Sequence, residues 1–163
     1  MRIRFITTGG TIDKIYFDAL SEFEVGESVV QHILTDGLVD FEYDVVSLFQ
    51  KDSLEITADD REKIRQFIAD DDASRYIITH GTDTMPETAD VLRELKDRTI
   101  VLTGALTPAR FRTTDAVFNV GMAVATVQIA KPGVYIAMSG QVFEAGAVRK
   151  NRAANRFEAT GRS

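Results

Sequence analysis

Five short apolar runs punctuate the chain: Ile3–Ile6, Tyr43–Phe49, Tyr76–Thr79, Thr99–Leu102 and Val134–Met138. They read as near-continuous hydrophobic segments, as strands buried on both faces of a parallel sheet do. Stretches of helical periodicity lie between them. Gly26–Leu34 carries Val29, Val30, Ile33 and Leu34 at helical spacing. Thr57-Ala58-Asp59-Asp60 reads as a helix start and is followed by Ile64, Phe67 and Ile68. Thr84-Met85-Pro86-Glu87 reads as a stronger one, with capping-box spacing and a proline in the first turn. Ala89, Val91, Leu92 and Leu95 then form its apolar side. Thr114 or Asp115 is placed to cap a helix over Ala116–Ile129.

Strand–helix alternation implies right-handed crossovers. The expected fold is α/β: a doubly wound, mostly parallel sheet with helices on both faces, Rossmann- or flavodoxin-like. Residues 141–160 break the alternation. Val142–Val148 alternates as a hairpin would, and a basic polar tail follows. With 163 residues and no linker or repeat, residues 1–163 are expected to form one domain.

Composition narrows the chemistry. The absence of cysteine excludes disulfides, thiol nucleophiles and thiolate metal sites. A net charge of -6 argues against a nucleic-acid partner. The start, Met1-Arg2-Ile3-Arg4-Phe5-Ile6, reads directly as a strand, without a secretory apolar region and cleavage site. Ala116–Ala130 is too short, and too interrupted by Asn119 and Gln128, to span a bilayer. A soluble cytoplasmic protein with no membrane partner is expected.

Three turns follow strands and carry hydroxyl groups beside glycine: Thr8-Gly9-Gly10-Thr11-Ile12, His80-Gly81-Thr82-Asp83-Thr84-Met85 and Leu102-Thr103-Gly104-Ala105. In an open parallel sheet, ligands bind at the carboxyl ends of the strands. Three such turns at one edge suggest a site for a small polar molecule. Each feature also has a plainer account. Gly9-Gly10 alone reads as a tight turn. His80 reads as a satisfied polar residue at a strand end, His32 as exposed, and Arg149-Lys150-Asn151-Arg152 as a solvated basic face. The joint occurrence of the turns, in order and after strands, carries more weight than any one of them.

The first two turns resemble the paired signatures of the bacterial-type L-asparaginases, at a fitting separation. Leu102-Thr103-Gly104-Ala105 with Pro108, Asp115 to Asn119, and Gly133–Met138 leading to a hairpin and Lys150 are similar to that family's later segments. The likeness covers essentially the whole chain, but only the family's larger N-terminal domain.

The resemblance implies roles. Thr11 is the nucleophile, with Thr82, Asp83 and Lys150 as a relay set. A threonine hydroxyl needs a base, and a lysine serves as one only if its pKa falls. Arg149 and Arg152 are expected to supply that field, with Asp83 opposing it. Asp83 also holds the substrate's α-amino group. Gly10, Ser53, Gly81, Thr82, Asp83 and Ala105 form the substrate site, and backbone N–H groups near Thr82 and Ala105 stabilise an oxyanion. The dipole of the helix beginning near Thr84 favours a substrate carboxylate. No metal or organic cofactor is implied.

Two positions depart from the family pattern. Leu54 stands where a polar residue usually follows Ser53. Aligning Phe23-Glu24-Val25-Gly26 by its Val-Gly puts Phe23 at the lid tyrosine, leaving Tyr16 as the candidate catalytic phenol on a shorter lid. The expected activity is hydrolysis of L-asparagine, or a related side-chain amide, through an acyl-threonine. A non-catalytic amino-acid-binding module and a partner-dependent subunit are the other readings. The expected assembly is a homodimer or a higher homo-oligomer, the dimer being the simplest because a two-fold interface reuses one patch. Its contact is expected at the site-bearing edge of the sheet, under residues 141–160.

Overall fold

The computed structural model describes residues 1–17, 22–25 and 28–161, excepting the side chains of 16–17 and 22–25. Each of the five apolar runs lies within a strand of one six-stranded sheet. These are β1 (Arg2–Gly9), β4 (Glu42–Lys51), β5 (Arg75–Thr79), β6 (Thr99–Thr103) and β7 (Gly133–Met138). A sixth strand, β8 (Gln141–Glu144), closes one edge antiparallel to β7. The spatial order is β4-β1-β5-β6-β7-β8, with every pair but the last parallel. The five parallel strands thus have the flavodoxin-like order, whose reversal falls between β1 and β5. That crevice holds the first two motif turns.

Helices cover both faces. Ile6, Tyr76, Ile78, Ile100, Leu102 and Ile136 pack on Ile64 and Ile68 of α2 (Ala58–Asp70) and Met85, Ala89 and Leu92 of α3 (Met85–Leu92). Ile3, Phe5, Ile77, Val101 and Ala137 pack on Val30 and Leu34 of α1 (Val30–Asp36) and Val120, Ala123 and Val127 of α4 (Ala116–Ile129). The division follows the two-residue period of each strand. Fully burying one such isoleucine contributes roughly 1.5–3 kcal/mol, so the double layer holds the sheet edge rigid beneath the loops.

Helix starts differ from expectation in three places. α1 begins at Val30, and the expected start at Gly26 lies outside the described residues. Thr57 and Asp60 form a complete reciprocal capping box on α2. Thr84, the stronger candidate by sequence, makes no side-chain cap on α3. Its hydroxyl donates instead to the Ser53 carbonyl at 2.7 Å. Asp115 does not cap α4 either. Its carboxylate accepts from the Leu106 and Thr107 N–H groups at 2.9–3.1 Å and so holds the loop after β6. Thr114 Oγ1 accepts from the Ala116 N–H at 3.1 Å.

Two antiparallel ribbons stand apart from the main sheet. β2 (Lys14–Phe17) pairs with β3 (Glu22–Val25) in the segment read as a lid loop. β9 (Val148–Asn151) pairs with β10 (Arg156–Ala159). The expected single hairpin and polar tail are therefore three strands. Within the described residues, no helix is long and apolar enough to cross a membrane.

Candidate active site

The first two motif turns touch through their glycines. Gly10 sits at φ 85°, a conformation L side chains rarely adopt. A Cβ there would lie 2.5 Å from the Gly81 nitrogen and 2.6 Å from its Cα. A Cβ on Gly81 would in turn lie 2.5 Å from the Ser53 Cβ. The loops after β1 and β5 thus meet backbone to backbone, and Gly81 packs on Ser53 of the loop after β4, which only glycine permits at these two positions. Replacing Gly10 by alanine should cost about 2 kcal/mol or more from the positive φ and the clash together. Thermal unfolding checks this, and an unchanged melting temperature would mean the two loops are not in contact.

Thr11 opens a short 3-10 turn (Thr11–Asp13) next to this contact and is partly buried. Asp13 is almost fully buried and accepts the Val29 N–H at 2.9 Å. Burial pushes its carboxyl up, while Val29, Ser28 and Arg110 pull it down. It ties the turn to the chain entering α1. Thr82, on the other side of the contact, is buried, and Ser53 beneath it is more so. Ala105 is buried at the end of β6. Asn119, fully buried on α4, donates to the Gly104 carbonyl and accepts the Ser139 N–H, joining the loops after β6 and β7.

Lys150 reaches in from β9. Its Nζ donates to Thr82 Oγ1 and to Asn155 Oδ1, each at 3.1 Å. It also lies 5.1 Å from the ring centre of Phe157, its cross-strand partner. Burial pulls the Lys150 amine below its ordinary value, and Arg152 adds to the shift. Asp83 and Asp115 oppose it. Arg149 does not contribute the expected field: it pairs with Glu158 at 3.2 Å. Arg152 Nε lies 3.9 Å from Asp83 Oδ1, in an exposed pair that stabilises little.

A cleft of about 410 Å³ opens here, lined by Asp83, Pro86, Glu87, Asp90, Lys150 and Arg152. A larger groove beside Met1, Val39 and Phe41 carries none of this chemistry. Leu54 is largely exposed. The side chains of Tyr16 and Phe23, the two lid candidates, lie outside the described residues. Among the described residues, no three His, Asp or Glu side chains are grouped to hold a metal ion.

His80 is buried and satisfied, as read from its place at a strand end, and His32 is exposed. His80 Nδ1 meets the Gly81 carbonyl at 2.6 Å, and Nε2 meets Thr88 Oγ1 at 2.8 Å. Burial first, and Arg61 second, pull its pKa from 6.5 down to about 4, against the Gly81 contact. Between those values the unfolded chain binds the extra proton, so stability rises with pH. The contribution is complete above 6.5 and is lost as pH falls through the window to about 4. Its full size is on the order of 3 kcal/mol. Chemical denaturation of the parent and of His80→Asn across that window measures it. The variant should show the shallower slope; equal slopes would mean that His80 titrates alike in both states.

No motif in the sequence points to Asp13, Thr88 or Asn155. Asn155 sits at φ 48° in the turn joining β9 to β10, where asparagine is tolerated. No sequence spacing pairs it with Lys150.

The first two motif turns, Lys150 and Asp83 thus gather beside the β1–β5 switch point of a flavodoxin-like α/β sheet. The chain belongs to the family described as Asparaginase, N-terminal, whose pattern matches residues 2–160. It is similar to the L-asparaginase of Bacillus licheniformis, with 30% identity over 94% of this chain and 51% of the relative. The thermostable L-asparaginase of Thermococcus kodakarensis superposes with a TM-score of 0.83 at 25% identity, over 98% of this chain and 51% of that one. L-asparaginase I of Vibrio cholerae superposes with a TM-score of 0.86 at 21% identity, over 99% and 52%. The fold is therefore theirs, while the chain spans about half the length of these relatives.

Proposed function

We propose that the chain is an amidohydrolase that cleaves the side-chain amide of L-asparagine or a closely related amino acid. The observation that carries this reading is the Lys150–Thr82 hydrogen bond at 3.1 Å, beside the Gly10–Gly81 contact. It sets a partly desolvated amine on one motif, next to the backbone of the nucleophile turn on the other.

Thr11 Oγ attacks the amide carbon, and the C–N bond breaks to leave an acyl-threonine ester. The hydroxyl proton ends on the departing amine, giving ammonia. Water then adds, the ester C–O bond breaks, and the acid leaves with the Thr11 hydroxyl restored. Lys150, acting through Thr82, moves the protons. Asp83 holds the substrate's α-ammonium, and Ser53, Gly10, Gly81 and Ala105 line its binding place. Backbone N–H groups near Thr82 and Ala105 meet the developing negative charge. Tyr16 remains the candidate catalytic phenol of this reading.

Ammonia release by purified protein, across asparagine, glutamine and short amides, tests this directly. Substrate binding without ammonia would instead support a non-catalytic amino-acid-binding module. Because the relatives are about twice as long, activity appearing only on addition of a partner extract would favour a partner-dependent subunit. A homodimer meeting at the site-bearing sheet edge belongs to the same reading. Specific activity should then fall on dilution as light scattering shows the mass halving. Full activity from a monomer at every dilution removes the dimer.

A further inference from the structure

Behind the site a chain of polar groups runs through the core between the sheet and two helices. Arg61 on α2 donates from Nε to Thr88 Oγ1 on α3 at 3.2 Å. Thr88 Oγ1 lies 2.8 Å from His80 Nε2, and His80 Nδ1 lies 2.6 Å from the Gly81 carbonyl. Thr88 and His80 are buried, and His80 is tied to β6 by its N–H donating to Thr103 O at 2.9 Å. Neither Arg61 nor Thr88 belongs to any motif at the site.

The direction of every bond in this chain follows from chemistry. A carbonyl oxygen can only accept, so Nδ1 carries the proton. A neutral imidazole then has a bare Nε2, which can only accept, so Thr88 donates to it. The lone pairs of Thr88 are left to accept from Arg61, which can only donate. Thr88 has one proton and two acceptors in reach, His80 Nε2 at 2.8 Å and the Thr84 carbonyl at 3.5 Å. The shorter contact takes it, since the longer is at the limit of a hydrogen bond. A doubly protonated ring would face the Thr88 hydroxyl with a second donor and would bring its charge toward Arg61.

The consequence reaches the site through one peptide plane. In a trans peptide, the Gly81 C=O and the Thr82 N–H point in opposite directions. A Gly81 carbonyl held by His80 turns the Thr82 N–H away from the core. Gly81 cannot yield elsewhere, because its backbone is pressed between Gly10 and Ser53.

We propose that the Arg61–Thr88–His80 chain, buried at Thr88 and His80 and partly buried at Arg61, is a positioning device that holds the Gly81 carbonyl and thereby aims the Thr82 and Asp83 segment at the site. His80, Thr88 and Arg61 act through Gly81 and touch no substrate. The kinetic arm of the test rests on the amidohydrolase reading; the spectroscopic arm does not.

The chain has two histidines, so ¹⁵N-imidazole spectra are simple, and His32→Gln assigns them. At neutral pH the buried ring should show a protonated Nδ1 and a bare Nε2. A ring protonated on Nε2 overturns the proposal. Thr88→Val removes the hydroxyl at nearly constant shape, and Thr88→Ser retains it. Where both variants are folded by circular dichroism, kcat of Thr88→Val should fall about tenfold or more with KM changed less than about threefold. Thr88→Ser should recover most of it. Thr88→Val with a lower melting temperature but parental kcat would make the chain merely structural and overturn the proposal. If the parent itself releases no ammonia, the amidohydrolase reading fails alone. The amide shifts of Thr82 and Asp83 in Thr88→Val then decide: displaced shifts support the device, and unmoved shifts overturn it. If Thr88→Val does not fold, the tautomer of the parent decides.

Discussion

Thr11→Ala should abolish ammonia release, by at least about a thousandfold, while leaving the melting temperature close to that of the parent. Removing a nucleophile takes away the covalent route and leaves only binding and electrostatic assistance. The fold should not notice. Thr11 is partly buried in a loop turn, outside both hydrophobic clusters. The turn itself is held by backbone bonds, Asp13 N–H to Gly10 O at 3.2 Å and Ala109 N–H to Ile12 O at 3.1 Å. Thr11→Ser, which keeps the hydroxyl, should retain a large part of the rate. A Thr11→Ala rate within about tenfold of the parent, only ~1.4 kcal/mol of barrier, would remove Thr11 as the nucleophile.

The second large effect is expected at Lys150. Lys150→Met keeps the stem length and removes the amine that meets Thr82, Asn155 and the face of the Phe157 ring. Turnover should fall by about a hundredfold or more, the scale of general acid–base catalysis, with a modest change in stability. A silent substitution would return Lys150 to the solvated basic face. The pH profile carries a signed test of the same role. A lysine acts as a base only when neutral, so activity should rise as pH climbs through its lowered pKa. Arg152 is one cause of that lowering. Arg152→Gln should therefore move the rising limb to higher pH. Arg149→Gln, whose parent side chain pairs with Glu158, should leave it in place. A limb that moves equally in both variants would mean that the bulk charge of the hairpin, not the one neighbour, sets the amine.

Much of the fold is legible along the chain because its causes are local. The apolar runs at 3–6, 76–79, 99–102 and 134–138 are strands because a strand buried on both faces has no polar side to show. The Thr57–Asp60 capping box works over three residues and is satisfied as written. The motif turns at Gly10 and Gly81 are visible as turns because glycine marks either a positive φ, as at Gly10, or a close approach, as at Gly81. Their resemblance to the asparaginases carried the candidate residues with them.

What the sequence by itself determined is thus the identity of the five parallel strands, the parallel class of the sheet and the position of the motif turns after them. The tertiary structure decided which polar groups meet. Thr84 had the better local cap signal, yet its hydroxyl serves the Ser53 carbonyl, 31 residues away. Asp115 had the position of a cap and instead holds the loop at Leu106 and Thr107. Arg149 and Arg152 are near-equivalent in sequence, but the β9–β10 register gives one to Glu158 and leaves the other beside Asp83. Lys150 meets Thr82 across 68 residues, and only the docking of the β9–β10 ribbon brings them to 3.1 Å. A side chain with several donors or acceptors takes the partner that burial leaves within about 3 Å. That distance is set by packing of the whole sheet, and no spacing along the chain encodes it.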